Sequence, residues 1–359
     1  MRNILLHAPS FGCQIFLLCS DSFDISVLPD NVERISIGTD LSNPYKRALW
    51  ENLKLGKLAQ SLDAGLLFCP GGLLPTYGLP PKLRTAVTFQ NMLPFDIEQR
   101  SRYPMGGRRI RDWLLERGLA SSIQRADLVI FISNFAERFI RSYVGSLKGH
   151  SVIIPHGIDR RFFKDISEEN YRTEPGHADE YYLYVSYIDF YKSQIEVVQA
   201  FAKLKQENLL PGKLFLVGGG YPPYEAALRR EVFRLGLDHS VIFKGNIPHE
   251  QLPEFYQNAR INIFASRTEN CPNILMEIMA SGRPALVSNC GPMPEFAGDT
   301  VQYFDPTDVK SLIFSWRFML QHWSDMENKA RAAQNQIMGS TWNEASRITW
   351  KAIADAAKK

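Results

Sequence analysis

Arg267-Thr268-Glu269-Asn270-Cys271-Pro272-Asn273-Ile274-Leu275-Met276-Glu277 is the stretch on which the reading of this chain turns. It follows a short apolar run, Ile261-Asn262-Ile263-Phe264-Ala265, of the length of a buried strand. Pro272 can open a helix and Gly282 can close it, so the order is strand, loop, helix. Glu269 then lies in the loop and Glu277, eight positions on, in the first turns of the helix. The backbone N–H groups between them have no partner within the helix. Those amides and the positive helix end suit a phosphate, and the two carboxylates suit sugar hydroxyls on either side. Taken alone, two Glu at this spacing are common by chance, and a solvated helix face is their default explanation.

Working outward, short apolar strands alternate with amphipathic helical patterns, which signals parallel α/β layers. Strands are expected at Ile4–His7, Gln14–Cys19, Gly65–Cys69, Ala86–Gln90, Leu128–Ser133 and Val152–Pro155. A second series is expected at Tyr182–Ser186, Lys213–Val217, Val241–Phe243, Ile261–Ala265 and Ala285–Ser288. Helical patterns occupy 43–62, 108–125, 134–143, 193–206, 222–235, 249–258, 272–281, 308–332 and 343–357. At 359 residues the chain exceeds the size at which single cores stop growing. The polar, aperiodic stretch Asp165–Asp179 reads as a linker. Two domains follow, 1–164 and 180–335, the second built on the Glu pair.

Composition excludes several classes. Apolar residues make up 45% and charged residues 22%, and the net charge of +3 gives no case for nucleic acid. The five cysteines, at 13, 19, 69, 271 and 290, are odd in number and contain no Cys-x-x-Cys, so free thiols in a reducing cytoplasm are expected. The N-terminal apolar stretch Ile4-Leu5-Leu6 is too brief for a signal peptide, and no run reaches the ~18 apolar residues of a membrane span. Charge is concentrated in residues 100–125, where seven Arg stand against Asp112 and Glu116, a local +5. That stretch reads either as a solvated basic helix or as a contact for an anionic membrane or pyrophosphoryl lipid, because Arg108, Arg109 and Arg111 flank Trp113 and Leu114-Leu115. The protein is therefore expected in the cytoplasm, with peripheral attachment to the inner face of the plasma membrane as the second reading of that stretch.

Further motifs flank the Glu pair. Lys192 ends Tyr184-Val185-Ser186-Tyr187-Ile188-Asp189-Phe190-Tyr191, just before a helix, where an ammonium can neutralise a diphosphate. Gly218-Gly219-Gly220 ends a strand and admits close approach of a ligand or another backbone. Glu-x7-Glu, followed by Met279-Ala280-Ser281-Gly282-Arg283-Pro284 and Gly291-Pro292-Met293-Pro294-Glu295, resembles the GT4-type retaining glycosyltransferases. The resemblance implies an α/β protein of GT-B fold, two Rossmann-like domains facing a cleft, here with a shortened N-terminal domain. Its first Gly-rich loop and helix are reduced to Ser10–Gly12. The resemblance also implies a terminal helix, 343–357, that packs back on the first domain.

By the same resemblance Glu277 holds ribose hydroxyls, Glu269 a hydroxyl of the transferred sugar, and Asn273 and Ile274 offer amides to the phosphates. Gly218, Gly219, Lys244 and Asn246 line the base pocket. Lys192 stabilises the leaving diphosphate, although Tyr187 stands where the family has an Arg, so half of the cationic clamp is absent or supplied elsewhere. Gln90 replaces a family His and can hydrogen-bond a sugar hydroxyl but cannot act as a base. No Asp-x-Asp occurs, which fits a metal-free site without a resident cofactor. The implied partners are a GDP- or UDP-linked sugar, with a lean towards mannose, and a glycan or lipid-linked glycan acceptor. Two alternatives are a non-catalytic nucleotide-sugar binding protein and a nucleotide-sugar epimerase, for which Asp96 and Glu98 are the acid–base candidates.

Overall fold

The computed structural model describes residues 5, 11–19, 28–37, 43–164 and 180–358. The expected strand Ile4–His7 (Leu5 excepted), the residue Ser10 and the linker Asp165–Asp179 lie outside the described residues. The chain forms two compact units. Unit 1 comprises Met1–Asn91, Ile110–Gly157 and Ser340–Lys359; unit 2 comprises Met92–Arg109 and Ile158–Gly339.

Unit 1 contains two parallel sheets. β1 (Ile15–Cys19) pairs with β2 (Val32–Ser36). β3 (Leu66–Cys69), β4 (Arg84–Phe89), β5 (Leu128–Phe131) and β6 (His150–Ile153) form a four-stranded sheet in sequence order. β4 and β5 are buried along nearly their whole length, as strands of a parallel sheet covered on both faces must be. The terminal helix Trp342–Lys358 places Trp350, Ile353 and Ala356 in one core with Ala86, Leu128 and Ile130.

Unit 2 is a six-stranded parallel sheet. Its strands are β7 (Tyr181–Val185), β8 (Lys213–Val217), β9 (Val241–Gly245), β10 (Ile261–Phe264), β11 (Ala285–Ser288) and β12 (Gln302–Phe304), in the spatial order β12-β11-β10-β7-β8-β9. Counted within the unit that is 6-5-4-1-2-3, the doubly wound order in which the chain reverses direction between its first and fourth strands. The core behind it stacks Trp316 edge-on to Tyr182, with ring centroids 5.2 Å apart, and tilts it against Phe201 at 6.1 Å.

Three expectations are corrected. The single helix over 308–332 is two helices, Val309–Gln321 and Trp323–Ile337, broken at His322, whose backbone leaves the helical region (φ −119°, ψ 47°) and whose ring stacks on Phe318. No Gly or Pro marks this break, so residue periodicity runs through it. The helix over 43–62 contains a π-turn at Glu51–Leu55, next to Gly56, where a Cβ would overlap the carbonyl oxygen of Gly78. Residues 92–109, placed in the N-terminal half by the sequence reading, belong to unit 2, because Arg102 and Arg108 bond to Phe190 and Asp189. The strands Val32–Ser36 and Gln302–Phe304 were not anticipated; the first is largely exposed and the second only three residues long, so neither carries a strong apolar pattern.

Candidate functional site

In a parallel sheet of this order, ligands bind beyond the carboxyl ends of the strands, at the point of reversal. In unit 2 that point lies between β7 and β10. The loop after β7 carries Lys192 and the loop after β10 carries Glu269, and the two side chains form an ion pair. Lys192 is buried, and burial opposes its charge. Glu269, with Tyr191 and Asp189, nevertheless holds its ammonium pKa above the ordinary lysine value. Lys192 also lies 4.9 Å from the Tyr191 ring centroid and 5.3 Å from that of Phe264. A buried ion pair that loses one partner leaves an uncompensated charge costing about 3–5 kcal/mol, so an anion that draws Lys192 away from Glu269 must compensate it well.

The Lys192 loop is braced from behind. The Tyr184 hydroxyl donates to the Lys192 carbonyl (2.5 Å) and accepts from the Ala265 amide (3.2 Å). Arg267 donates through Nε to Ser193 Oγ (2.7 Å) and through Nη2 to Glu196 (2.5 Å) and the Pro306 carbonyl (3.1 Å). Its backbone amide reaches the Tyr191 carbonyl at 2.7 Å. Ser193 adopts a left-handed backbone (φ 52°), which lets the loop turn sharply into the helix Gln194–Gln206.

The helix Asn273–Ala280 begins after Pro272 with no side-chain cap and no acidic residue in its first turn. Its positive end therefore has no carboxylate within its own first turn. Asn273 and Ile274 are its first two residues, and Gly282 follows in the left-handed region at φ 65°. Glu277, in the second turn, accepts the Tyr256 hydroxyl at 2.9 Å and contacts His249 Nε2 at 3.1 Å. Phe162 packs on both partners, with ring centroids 5.0 Å from His249 and 5.8 Å from Tyr256. The hydrogen bond to Glu277 holds the His249 pKa above the ordinary imidazole value, against the opposing effect of burial.

At the ends of β8 and β9, Gly218 and Gly219 meet Lys244–Asn246. The Gly218 amide donates to the Gly245 carbonyl (2.8 Å), and the Gly219 amide to Asn246 Oδ1 (2.6 Å). Gly218 has φ 129°, and a Cβ there would lie 2.2 Å from the Ser186 carbonyl oxygen. Lys244 is exposed, its ammonium 4.4 Å from the Phe215 ring centroid.

Unit 2 thus brings Lys192 and Glu269 into contact and sets Asn273, Ile274, Glu277, Gly218, Gly219, Lys244 and Asn246 at the carboxyl-end side of one sheet. Gln90 belongs to unit 1, exposed just past β4. Asp96 caps the helix Ile97–Ser101 through the Gln99 amide (3.0 Å), and Glu98 accepts from the Gln99 side chain. Tyr256, and the pairing of His249 with Glu277, are not visible in the sequence, since separations of 21 and 28 residues give no periodic signal.

The basic stretch is also resolved into contacts. Arg100 donates to the Pro94 carbonyl, Arg102 to that of Phe190, Arg108 to Asp189, Arg109 to the Tyr103 carbonyl and Arg125 to the Pro75 carbonyl. Asp112 and Glu116 are buried, and Arg111 pairs with Asp112. On the outer face of the helix Gly107–Arg125, Ile110, Trp113 and Leu114 are exposed. All five cysteines are free thiols, and among the described residues no helix is long and apolar enough to cross a membrane.

The family model described as glycosyl transferases group 1 matches residues 166–336. The chain is 26% identical to O-antigen chain mannosyltransferase B of Escherichia coli, over 66% of this chain and 62% of that protein. It is 28% identical to the GDP-mannose-dependent alpha-(1-6)-phosphatidylinositol monomannoside mannosyltransferase of Mycolicibacterium smegmatis, over 60% and 57%. The alignments thus span about three fifths of the length of these curated relatives. Among solved structures, the sucrose-phosphate synthase of Thermosynechococcus elongatus superposes with a TM-score of 0.75 at 18% identity, covering 98% of this chain and 90% of that one. WaaG, a glycosyltransferase involved in lipopolysaccharide biosynthesis, gives 0.71 at 15% identity, covering 98% and 94%. The fold is GT-B, with two Rossmann-like domains.

Proposed function

We propose that this chain, whose residues 166–336 belong to the group 1 glycosyl transferases, transfers a hexose from a nucleoside diphosphate sugar to a glycan or lipid-linked glycan. The observation that carries the reading is the Lys192–Glu269 ion pair at the strand-order reversal, beside an uncapped helix start and Glu277. In this reading the diphosphate takes Lys192 from Glu269, and the released carboxylate accepts a hydroxyl of the hexose. The Asn273 and Ile274 amides hold the phosphates, and Glu277 exchanges a neighbour for the ribose hydroxyls. The main chain at Gly218–Gly219 and Lys244–Asn246 receives the base. Developing charge on the departing diphosphate is then met by a cation and helix amides already in place.

None of these residues is assigned as a nucleophile, the Glu269 carboxylate being engaged with a hexose hydroxyl. Attack on the face that the diphosphate leaves, with a phosphate oxygen taking the acceptor proton, retains the anomeric configuration; Gln90 serves as a hydrogen-bonding group for a sugar hydroxyl. The names of the two mannosyltransferase relatives support mannose as the sugar; that of the second supports GDP as the carrier, and the O-antigen chain named for the first supports polysaccharide or lipopolysaccharide synthesis as the setting. The test is transfer from GDP-mannose, with UDP-glucose alongside, in excess chelator, with the anomeric proton of the product read by NMR. Retained configuration and unchanged turnover support the reading, whereas inversion or collapse of turnover restored by Mn²⁺ refutes the mechanism.

A further inference from the structure

Asp189 sits three residues before Lys192 and is almost wholly buried, its side chain 1% exposed. Its Oδ1 accepts the Phe190 amide at 2.8 Å, and its carbonyl accepts the Lys192 amide at 2.9 Å, so it fixes the turn that presents the lysine. Its negative charge is a problem for the proposed ligand, because a buried carboxylate this close to the phosphate-binding cation repels a diphosphate. The structure supplies a counter-charge from a distant part of the sequence. Arg108 Nη2 donates to Asp189 Oδ2 at 3.0 Å. Its guanidinium lies 3.7 Å from the Tyr103 ring centroid and 4.8 Å from that of Tyr221, an aromatic setting that fixes a planar cation. Tyr103 meets Phe190 edge-on at 5.3 Å, and Arg102 donates to the Phe190 carbonyl at 2.8 Å. The segment Met92–Arg109 is therefore fastened to the lysine turn by an ion pair, a hydrogen bond and ring contacts, all within unit 2.

We propose that Arg108 is a positioning residue of the donor site, one that neutralises Asp189 and holds the Phe190–Lys192 turn so that Lys192 presents a net positive charge to a diphosphate. It thereby offsets, from 81 positions earlier in the chain, the buried carboxylate that stands beside the lysine. The inference rests on the donor-site reading above. It assigns the charge to Arg108 acting through Asp189, and not to a direct bond between Arg108 and the phosphates.

Neutralisation of Asp189 by Arg108 has a specific signature. In Arg108→Met the turn keeps its hydrogen bonds but Asp189 loses its guanidinium partner; in Arg108→Met/Asp189→Asn the amide keeps the Phe190 contact and the charge is gone. Calorimetric titration with GDP and with UDP, and with guanosine and uridine as the phosphate-free controls, is carried out on wild type, both single variants, the double variant and Lys192→Ala. The expected result is at least a tenfold loss of diphosphate affinity in Arg108→Met, little change for the nucleoside, and recovery in the double variant to within about threefold of Asp189→Asn. An Arg108→Met variant that binds diphosphates as wild type does overturns the proposal, as does a double variant whose losses simply add. Equal loss of nucleoside and diphosphate overturns it too, by showing general damage to the fold. If Arg108→Met is too unstable to titrate, Arg108→Lys takes its place, with partial retention of diphosphate affinity expected and wild-type affinity contradicting the need for the planar cation. If wild type binds neither diphosphate, or Lys192→Ala binds as wild type does, the donor-site reading itself fails and the inference falls with it.

Discussion

Glu277 shows how much one residue can carry. Its carboxylate holds Tyr256 and His249, so both oxygens are already oriented for the ribose hydroxyls proposed to reach them. Glu277→Ala is expected to weaken nucleoside diphosphate binding by about 1.5–3 kcal/mol, the value of a charge-assisted hydrogen bond. Calorimetric affinity that stays unchanged for every accepted nucleotide removes the assignment. His249 gives a pH test. Its folded-state pKa is raised, so the stabilisation it contributes is complete below the unfolded value of about 6.5 and fades as pH rises through the folded value. The melting-temperature advantage of wild type over His249→Asn should therefore shrink between pH 5 and pH 8. The ring is half exposed, so the effect is small, about 0.2–1 kcal/mol. An advantage that grows with pH contradicts the pairing. At this scale the sequence made Glu269, Glu277 and Lys192 legible, because each sits in a short motif. The pairing of Glu277 with His249 and Tyr256 was not, nor that of Arg108 with Asp189, because tertiary folding alone brings these partners together.

At the scale of elements, the glycine at the end of β8 is the sharpest case. Gly218→Ala must place a methyl against the Ser186 carbonyl in a backbone region that L residues avoid, and a loss of at least about 2 kcal/mol is expected in urea unfolding. A neutral substitution there means that the strand end relaxes freely. The terminal helix offers a second test: Trp350→Ala empties part of the core shared with Ala86 and Leu128 and should cost about 3–5 kcal/mol. The buried parallel strands were readable from their apolar runs, and the Lys213–Val217 and Ala285–Ser288 bounds coincide with those expected. The break at His322 was not readable, since its cause is a local backbone turn without Gly or Pro. Val32–Ser36 escaped because an exposed strand has no run of apolar side chains to declare it.

For the whole molecule, the second half was the more legible, because its buried strands and the loops that carry Lys192 and the Glu pair follow one another along the chain. The first half lacked such a run, and residues 92–109 join unit 2 through side-chain contacts that composition does not encode. The membrane expectation changes accordingly. Arg108 and Arg109 are engaged within the protein, so any docking by 100–125 falls to Ile110, Trp113 and Leu114. Co-sedimentation with anionic vesicles should fall in Trp113→Ser/Leu114→Ser, and equal pelleting leaves that helix a solvated one. The central claim is that unit 2 is a donor site built on Lys192, and ligand-induced thermal stabilisation tests it most directly, because a ligand that binds only the folded state raises its melting temperature. With GDP-mannose, UDP-glucose and their free diphosphates at millimolar concentration, wild type is expected to melt higher with at least one carrier series, and Lys192→Ala to lose that shift. No shift with any nucleotide, or an equal shift in the Lys192→Ala variant, would contradict it.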